Sequence, residues 1–196
     1  LNRGTSGNLS VRSGEGMLIT PSGLPYDTLG EDDIVYLEDG CDEQPNSAGQ
    51  RKPSSEWRIH RDVYRARPDA QAILHAHPAY SMALACLRRP LPAFHYMVAV
   101  AGGRDIRCAE YATFGSQALS DHVLQALENR RACLMANHGI IALARDLAGA
   151  LSLALEIEQL ACSYLQCLAA GEPVLLDDAE MDRVLEKFKT YVGPPR

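Results

Sequence analysis

The chain has 196 residues and six histidines, and three of those histidines stand where a metal could be held. His75 and His77 flank Ala76 in Ile73-Leu74-His75-Ala76-His77-Pro78. The apolar residues before them predict a strand, and Pro78 cannot donate to a continuing ladder. Side chains alternate faces along a strand, so both imidazoles point the same way, as two ligands of one ion would. Alone, a His-x-His pair is more often incidental than metal-binding. His138, in Ala136-Asn137-His138-Gly139, and Glu56, in Ser54-Ser55-Glu56, change the reading. Three imidazoles and a carboxylate make a zinc set, and such sets are catalytic when one position can be vacated for water or substrate. A purely structural zinc is the weaker reading, because structural sites are typically Cys-rich and this set has no Cys. Read by itself, Glu56 is a first-turn helix carboxylate favoured by the helix dipole.

Two loops have the composition of an anion cradle. Gly4-Thr5-Ser6-Gly7-Asn8-Leu9-Ser10 combines glycines that permit sharp turns with hydroxyl and amide donors. It is neither a P-loop nor a dinucleotide fingerprint. By itself it reads more readily as an ordinary turn than as a phosphate site. Thr20-Pro21-Ser22-Gly23 is a second turn of the same kind.

The elements that must position these groups follow from periodicity. Short strands are expected at Leu9–Arg12, Met17–Ile19, Asp32–Leu37, Ala70–His77, Ala93–Val98 and Arg131–Met135, with Ile140–Leu143 as a hairpin partner to the last or its continuation. Residues 39 to 53 read as a polar surface loop. Helices are expected after Ser54 or Ser55 as N-cap, over Ala79–Leu87, over Gln117–Asn129, from Asp146 to about Ala170, and after a capping box at Asp177-x-x-Glu180. His95 has no His partner at strand spacing and reads as structural. The closing Phe188-Lys189-Thr190-Tyr191 reads by itself as a packed terminal helix. Strands interspersed with helices indicate a three-layer α/β/α or α+β domain with a mixed sheet.

Composition narrows the classes. With 46% hydrophobic residues and a net charge of −6, the chain can bury a sizeable core as one domain, residues 1–196. Its charges are dispersed without a Lys/Arg-rich run, so nucleic acid is not an expected partner. No apolar run reaches a membrane span, and no signal-peptide pattern opens the chain. The six cysteines form no C-x-x-C pair and read as reduced core thiols, so a cytoplasmic location is expected. The chain begins at Leu1 directly before a Gly-rich loop, and the expectation is that an N-terminal piece is missing.

In order along the chain stand G-T-S-G-N-L-S-V-R, M-L-I-T-P-S-G-L-P-Y, P-S-S-E-W-R, H-A-H-P, H-Y-M, A-G-G, Y-A-T-F-G, N-H-G and V-L-E-K-F-K-T-Y. Together these motifs resemble the class II aldolase/adducin family over almost the whole chain. The resemblance implies an α/β fold, a single three-layer α/β/α domain with a mixed, mainly antiparallel central sheet. It implies one zinc per subunit, held by His75, His77 and His138 and completed by Glu56, which also acts as acid/base. Asn8, Ser22, Gly23, Ser54 and Ser55 would cradle the phosphate of a phosphorylated ketose. Tyr96 and Tyr191 would serve a neighbouring subunit's site in a homotetramer, with Phe114 and Phe188 shaping the aldehyde pocket. The implied reaction is reversible cleavage of a ketose 1-phosphate such as L-fuculose 1-phosphate to dihydroxyacetone phosphate and a short aldehyde such as L-lactaldehyde. Ser22 stands where such enzymes usually have Thr, the loop around residues 42–52 differs in length, and the helix that normally precedes the first Gly loop is absent.

Other readings on this scaffold are an L-ribulose-5-phosphate 4-epimerase, a dehydratase, a decarboxylase and a 5-deoxypentulose-phosphate aldolase. The epimerase pattern typically has Asp at the place of Glu56. A non-catalytic module like the adducin head is a further alternative, but it has no reason to keep all four metal ligands. Lysines occur only at Lys52, Lys187 and Lys189, none in a convincing apolar strand, which disfavours Schiff-base chemistry.

Overall fold

The computed structural model describes residues 1–2, 5–40 and 51–191, Tyr191 by its backbone alone. Among these, one sheet is built from β1 (Asn8–Ser13), β2 (Gly16–Ile19), β3 (Val35–Glu38), β4 (Ala72–Ala76), β5 (Cys108–Ala109), β6 (Ala132–Met135) and β7 (Gly139–Ala144). The strand order is β3-β2-β1-β4-β7-β6-β5. Every neighbouring pair is antiparallel except β5 with β6. The helices are α1 (Trp57–Ala66), α2 (Ala79–Cys86), α3 (Gln117–Ala126), α4 (Leu147–Ala170) and α5 (Asp178–Tyr191). This is the mixed, mainly antiparallel sheet between helical layers that the sequence implies.

The central strand, β4, is buried along its whole length, which is why it reads as a continuous apolar run rather than an alternation. Its side chains still leave on alternate faces. Ala72, Leu74 and Ala76 join the core built with α2, α4 and α5. Ile73 joins the opposite core, built with α1 and α3. His75 has the parity of Ile73 and therefore emerges on the α1 side, at the end of the strand.

Asp146 caps α4 as expected, its carboxylate accepting from the Gly149 N–H at 2.6 Å. The Asp177 carboxylate likewise accepts from the Glu180 N–H at 2.7 Å. Other expectations need correction. Ala93–Val98 is not a strand; a 3-10 helix, Tyr96–Ala101, occupies its second half. His95 enters that helix by accepting from the Met97 N–H, and Gly102 closes it at φ 90°. Val98 and Ala101, three residues apart, are both buried, which suits a helix of three residues per turn. The strand expected from Asp32 begins only at Val35, because Glu31–Asp33 form a 3-10 turn in which Asp33 accepts from the Gly30 N–H.

The cysteines are not mainly core thiols. Among those described, Cys133 is buried, Cys108 and Cys162 are half-buried, and Cys86 and Cys167 are exposed. The last two lie on outward faces of α2 and α4; Cys41 is outside the described residues. Among the described residues, no helix is long and apolar enough to cross a membrane.

Candidate active site

Three segments bring the histidines together. β4 ends at Ala76, leaving His75 and His77 on one side. β7 starts at Gly139, paired with Met135 of β6, so residues 136–138 form a tight hairpin loop with Asn137 left-handed at φ 54°. A Cβ on Gly139 would lie 2.3 Å from the Ala76 carbonyl oxygen and 2.8 Å from the His77 ring. Only glycine lets the hairpin approach the end of β4 this closely, and the approach delivers His138. The three ring centroids stand 4.8, 4.8 and 4.9 Å apart. One ring nitrogen from each lies within 4.8 Å of the others.

Glu56 stands just before α1 and faces this cluster. Its Oε2 is 3.0 Å from His75 Nε2, and its Oε1 is 3.2 Å from His138 Nε2. His75 Nδ1 lies 2.8 Å from the Ile140 carbonyl oxygen, which can only accept, so Nδ1 carries the proton. In the neutral ring, Nε2 then presents a lone pair to the Glu56 carboxylate at 3.0 Å and to His77 Nε2 at 2.9 Å. A lone pair facing a carboxylate oxygen at this separation is unfavourable unless a proton or a cation lies between them. Glu56 Oε1 is also buried without a hydrogen-bond partner among the described residues. The donor set therefore fits a metal ion: three imidazole nitrogens and one carboxylate, with the backbone bond fixing the tautomer.

Behind the cluster lies a buried polar layer of which the sequence reading missed Ser10, His60 and Tyr64. Asn8 and Ser10 of β1 are buried on the α1 side, opposite His75 and Ile73 in the register. They meet Glu56 at the N-cap of α1 and His60 and Tyr64 on the helix, spaced i, i+4, i+8. Asn8 donates through Nδ2 to Ser54 Oγ at 2.8 Å and to Glu56 Oε2 at 3.1 Å. Its Oδ1 lies 2.5 Å from His60 Nε2. Ser10 Oγ lies 2.6 Å from His60 Nδ1 and 2.9 Å from the Tyr64 hydroxyl. The available signal was the four-residue spacing on the helix set against the alternation Asn8-x-Ser10.

The same layer corrects the expected cap of α1. Ser54 and Ser55 are not its N-cap; Glu56 occupies that place without a side-chain cap bond. The Ser54 hydroxyl is committed to Asn8 instead, and it also accepts from the Glu56 N–H at 3.3 Å.

The electrostatics follow from burial and neighbours. Burial alone would raise the Glu56 carboxyl, but positive charge beside it, on protonated His75 and His138, with hydrogen bonds from His75 and Asn8, outweighs burial and holds the group at about 2; with the rings neutral, that charge must come from a cation among them. Burial pushes His60 down to about 3 and His138 down to about 4, and also lowers His77; proximity to His75 adds to each.

A cavity of about 360 Å³ opens over the cluster, large enough for a small phosphorylated metabolite. Glu56, His77 and His138 border it, and so do Asn8, Ser22 and Gly23 from the two hydroxyl-rich loops and Ser54 and Ser55 from the segment before α1. Phe114, 66% exposed, stands at its rim beside Tyr111. Tyr96 and Phe188 do not line it within one chain. Tyr96 is 49% exposed at the start of the 3-10 helix, and Phe188 packs on the core of the opposite sheet face. The Tyr191 side chain lies outside the described residues.

The lowered imidazoles give the metal-free protein a defined pH response. Histidines of the unfolded chain titrate near about 6.5. As pH falls below that, the unfolded state takes up protons that His60, His77 and His138 refuse in the folded state, so folding stability declines until the lowered values are passed. The urea midpoint of the metal-free protein should therefore fall between pH 7 and pH 5. A midpoint constant over that interval would contradict the environment assigned to these rings.

The sequence matches the family described as Class II Aldolase and Adducin N-terminal domain over residues 1–165. It is 56% identical over 191 residues to a Rhodospirillum rubrum protein named 5-methylthioribulose-1-phosphate/5-deoxyribulose-1-phosphate aldolase, covering 97% of this chain and 85% of that one. It is 50% identical over 192 residues to the L-fuculose phosphate aldolase of Escherichia coli K12, covering 97% and 87%. Among solved structures, an L-fuculose 1-phosphate aldolase superposes with a TM-score of 0.90 at 48% identity, covering 96% of this chain and 88% of that one. With the His75/His77/His138 cluster at the end of β4, these likenesses establish that the chain belongs to the class II aldolase/adducin family and is a class II, metal-dependent aldolase.

Proposed function

We propose that the chain is a zinc enzyme that cleaves a ketose 1-phosphate reversibly to dihydroxyacetone phosphate and a short aldehyde. The observation that carries this reading is that Glu56, His77 and His138, clustered with His75, border one cavity together with both hydroxyl-rich loops. His75, His77 and His138, with Glu56, would hold the zinc. Zinc bound there supplies a Lewis acid for the ketone and adjacent hydroxyl oxygens of the substrate, which a bare ketone needs if its α proton is to leave near neutral pH.

The residues of the chain do the rest. Ser22, Gly23, Ser54 and Ser55, with Asn8 holding the Ser54 hydroxyl, anchor the phosphate, so binding energy remote from the reacting carbons fixes their position. In the direction of synthesis, Glu56 takes the proton from the α carbon of dihydroxyacetone phosphate; in cleavage it returns that proton. Among the imidazoles its carboxyl sits at about 2 and is a poor base. It gains basicity when substrate displaces it from the cluster. Tyr96 of a neighbouring subunit donates a proton to the aldehyde oxygen in synthesis and recovers it in cleavage. Its exposure and its absence from its own chain's cavity support that assignment. Tyr191 and Phe188 would reach the same neighbouring site, and Phe114 borders the aldehyde end.

The first candidate substrate is L-fuculose 1-phosphate, as the Escherichia coli relative's name suggests. The 56% identity to the Rhodospirillum rubrum relative favours a second, a 5-deoxypentulose 1-phosphate. Both share the phosphate and ketone ends and differ at the aldehyde end, which this reading puts beside Phe114, at the cavity rim with Tyr111.

Dihydroxyacetone phosphate release from both sugars, measured with zinc and after chelation, tests the reading. Release should disappear on chelation and return with zinc. Glu56→Gln should lower kcat by about 10²–10⁴-fold. Release that persists after complete chelation, or an unimpaired Glu56→Gln variant, would contradict it. A separate expectation concerns assembly: sedimentation and assay of the same samples should show activity only in the homotetramer. A fully active monomer would remove the roles given to Tyr96 and Tyr191.

A further inference from the structure

The polar layer behind the candidate metal site is ordered by a single constraint. The Glu56 carboxylate is acceptor-only, so the Asn8 atom facing it at 3.1 Å must be the amide nitrogen. Asn8 then turns its oxygen to His60, and His60 Nε2 must carry the proton that bridges their 2.5 Å separation. The other nitrogen of the neutral ring, Nδ1, can only accept, so the Ser10 hydroxyl donates to it at 2.6 Å. With that hydrogen used, the Tyr64 hydroxyl donates to Ser10 at 2.9 Å. Arg12 fixes the far end: its guanidinium lies over the Tyr64 ring at 4.8 Å and donates to the Tyr64 carbonyl oxygen at 2.7 Å. Each donor and acceptor in the chain has one consistent assignment, and His60 is completely buried within it.

An amide does not pass protons along as a hydroxyl or imidazole does. Because Asn8 interrupts the series, the series transmits orientation and not protons. We propose that His60 is a positioning residue, which through Asn8 sets the orientation of the Glu56 carboxylate at the metal-ligand cluster. Without the His60 donor, the Asn8 amide is free to rotate. A rotated amide presents its oxygen to the Glu56 carboxylate and to Ser54, and the repulsion moves the carboxylate away from His75 and His138. The kinetic side of this inference rests on the aldolase reading; its consequence for metal binding does not.

The test is the zinc dissociation constant, measured by competition with a chromophoric chelator, with thermal midpoints recorded in parallel. His60→Leu should weaken zinc binding about tenfold or more, the range found when a partner of a metal ligand is removed. His60→Gln places an N–H donor near the Nε2 position and should recover most of that loss. In Asn8→Ala, which removes the link, adding His60→Leu should weaken zinc no further. The same pattern should appear in kcat for ketose 1-phosphate cleavage. Unchanged zinc affinity in His60→Leu, no recovery in His60→Gln, or effects that multiply in the double variant would each overturn the proposal. If His60→Leu does not fold, Ser10→Ala decides: weaker zinc binding supports the chain of orientation, and unchanged binding overturns it. A wild type that shows the zinc pattern but cleaves no ketose 1-phosphate would overturn the functional reading and leave the positioning role standing.

Discussion

Four basic groups face one another across about the width of an ion. His75 Nε2 is held by the Ile140 hydrogen bond so that its lone pair meets the Glu56 carboxylate, and His77 and His138 close the ring. Such an arrangement is unfavourable without positive charge at its centre. The fold holds it through rigid elements: the end of the central strand, a glycine-tight hairpin against that end, and the residue before α1. Strand β4 is flanked by β1 and β7, so its end cannot shift without disturbing both neighbours. This is how a sheet built from ordinary apolar burial keeps four like-natured side chains in place.

The burial of Asn8, Ser10, His60 and Tyr64 has the same origin. A polar layer inside a protein is costly unless every member finds a partner, and a half-satisfied layer is worse than an apolar one. Here the layer is satisfied along its length, and its loose end is Glu56 Oε1, which faces the metal-ligand cluster. One face of α1 is thus given to aiming the carboxylate. The remainder of the helix is tied elsewhere, with Trp57, Ile59 and Val63 in the core and Asp62 accepting from Ser120 and Gln117 of α3.

Much of the site was legible because its residues obey short-range rules. The two-residue period of a strand puts His75 and His77 on one side, and Gly139 marks the hairpin that delivers His138. The strand order and the face on which the pair emerges were not legible, since they depend on long-range pairing. His60 escaped notice for a related reason. Its partner Asn8 lies far away in sequence, and only the packing of α1 on β1 brings them together. Ala93–Val98 misled because its apolar composition suits a strand, while His95 and Gly102 close it as a 3-10 helix. Tyr96, Phe188 and Tyr191 could be assigned only by resemblance, because the site proposed for them belongs to another subunit.

The most direct test of the account is anomalous diffraction at the zinc edge from crystals of the zinc-loaded protein. One peak per chain is expected, bonded to a ring nitrogen of each of His75, His77 and His138 and to the Glu56 carboxylate, with Asn8 and His60 still joined behind it. A peak on other residues, or no stoichiometric zinc with the four side chains left as they stand, would contradict the claim that these groups are arranged around a metal.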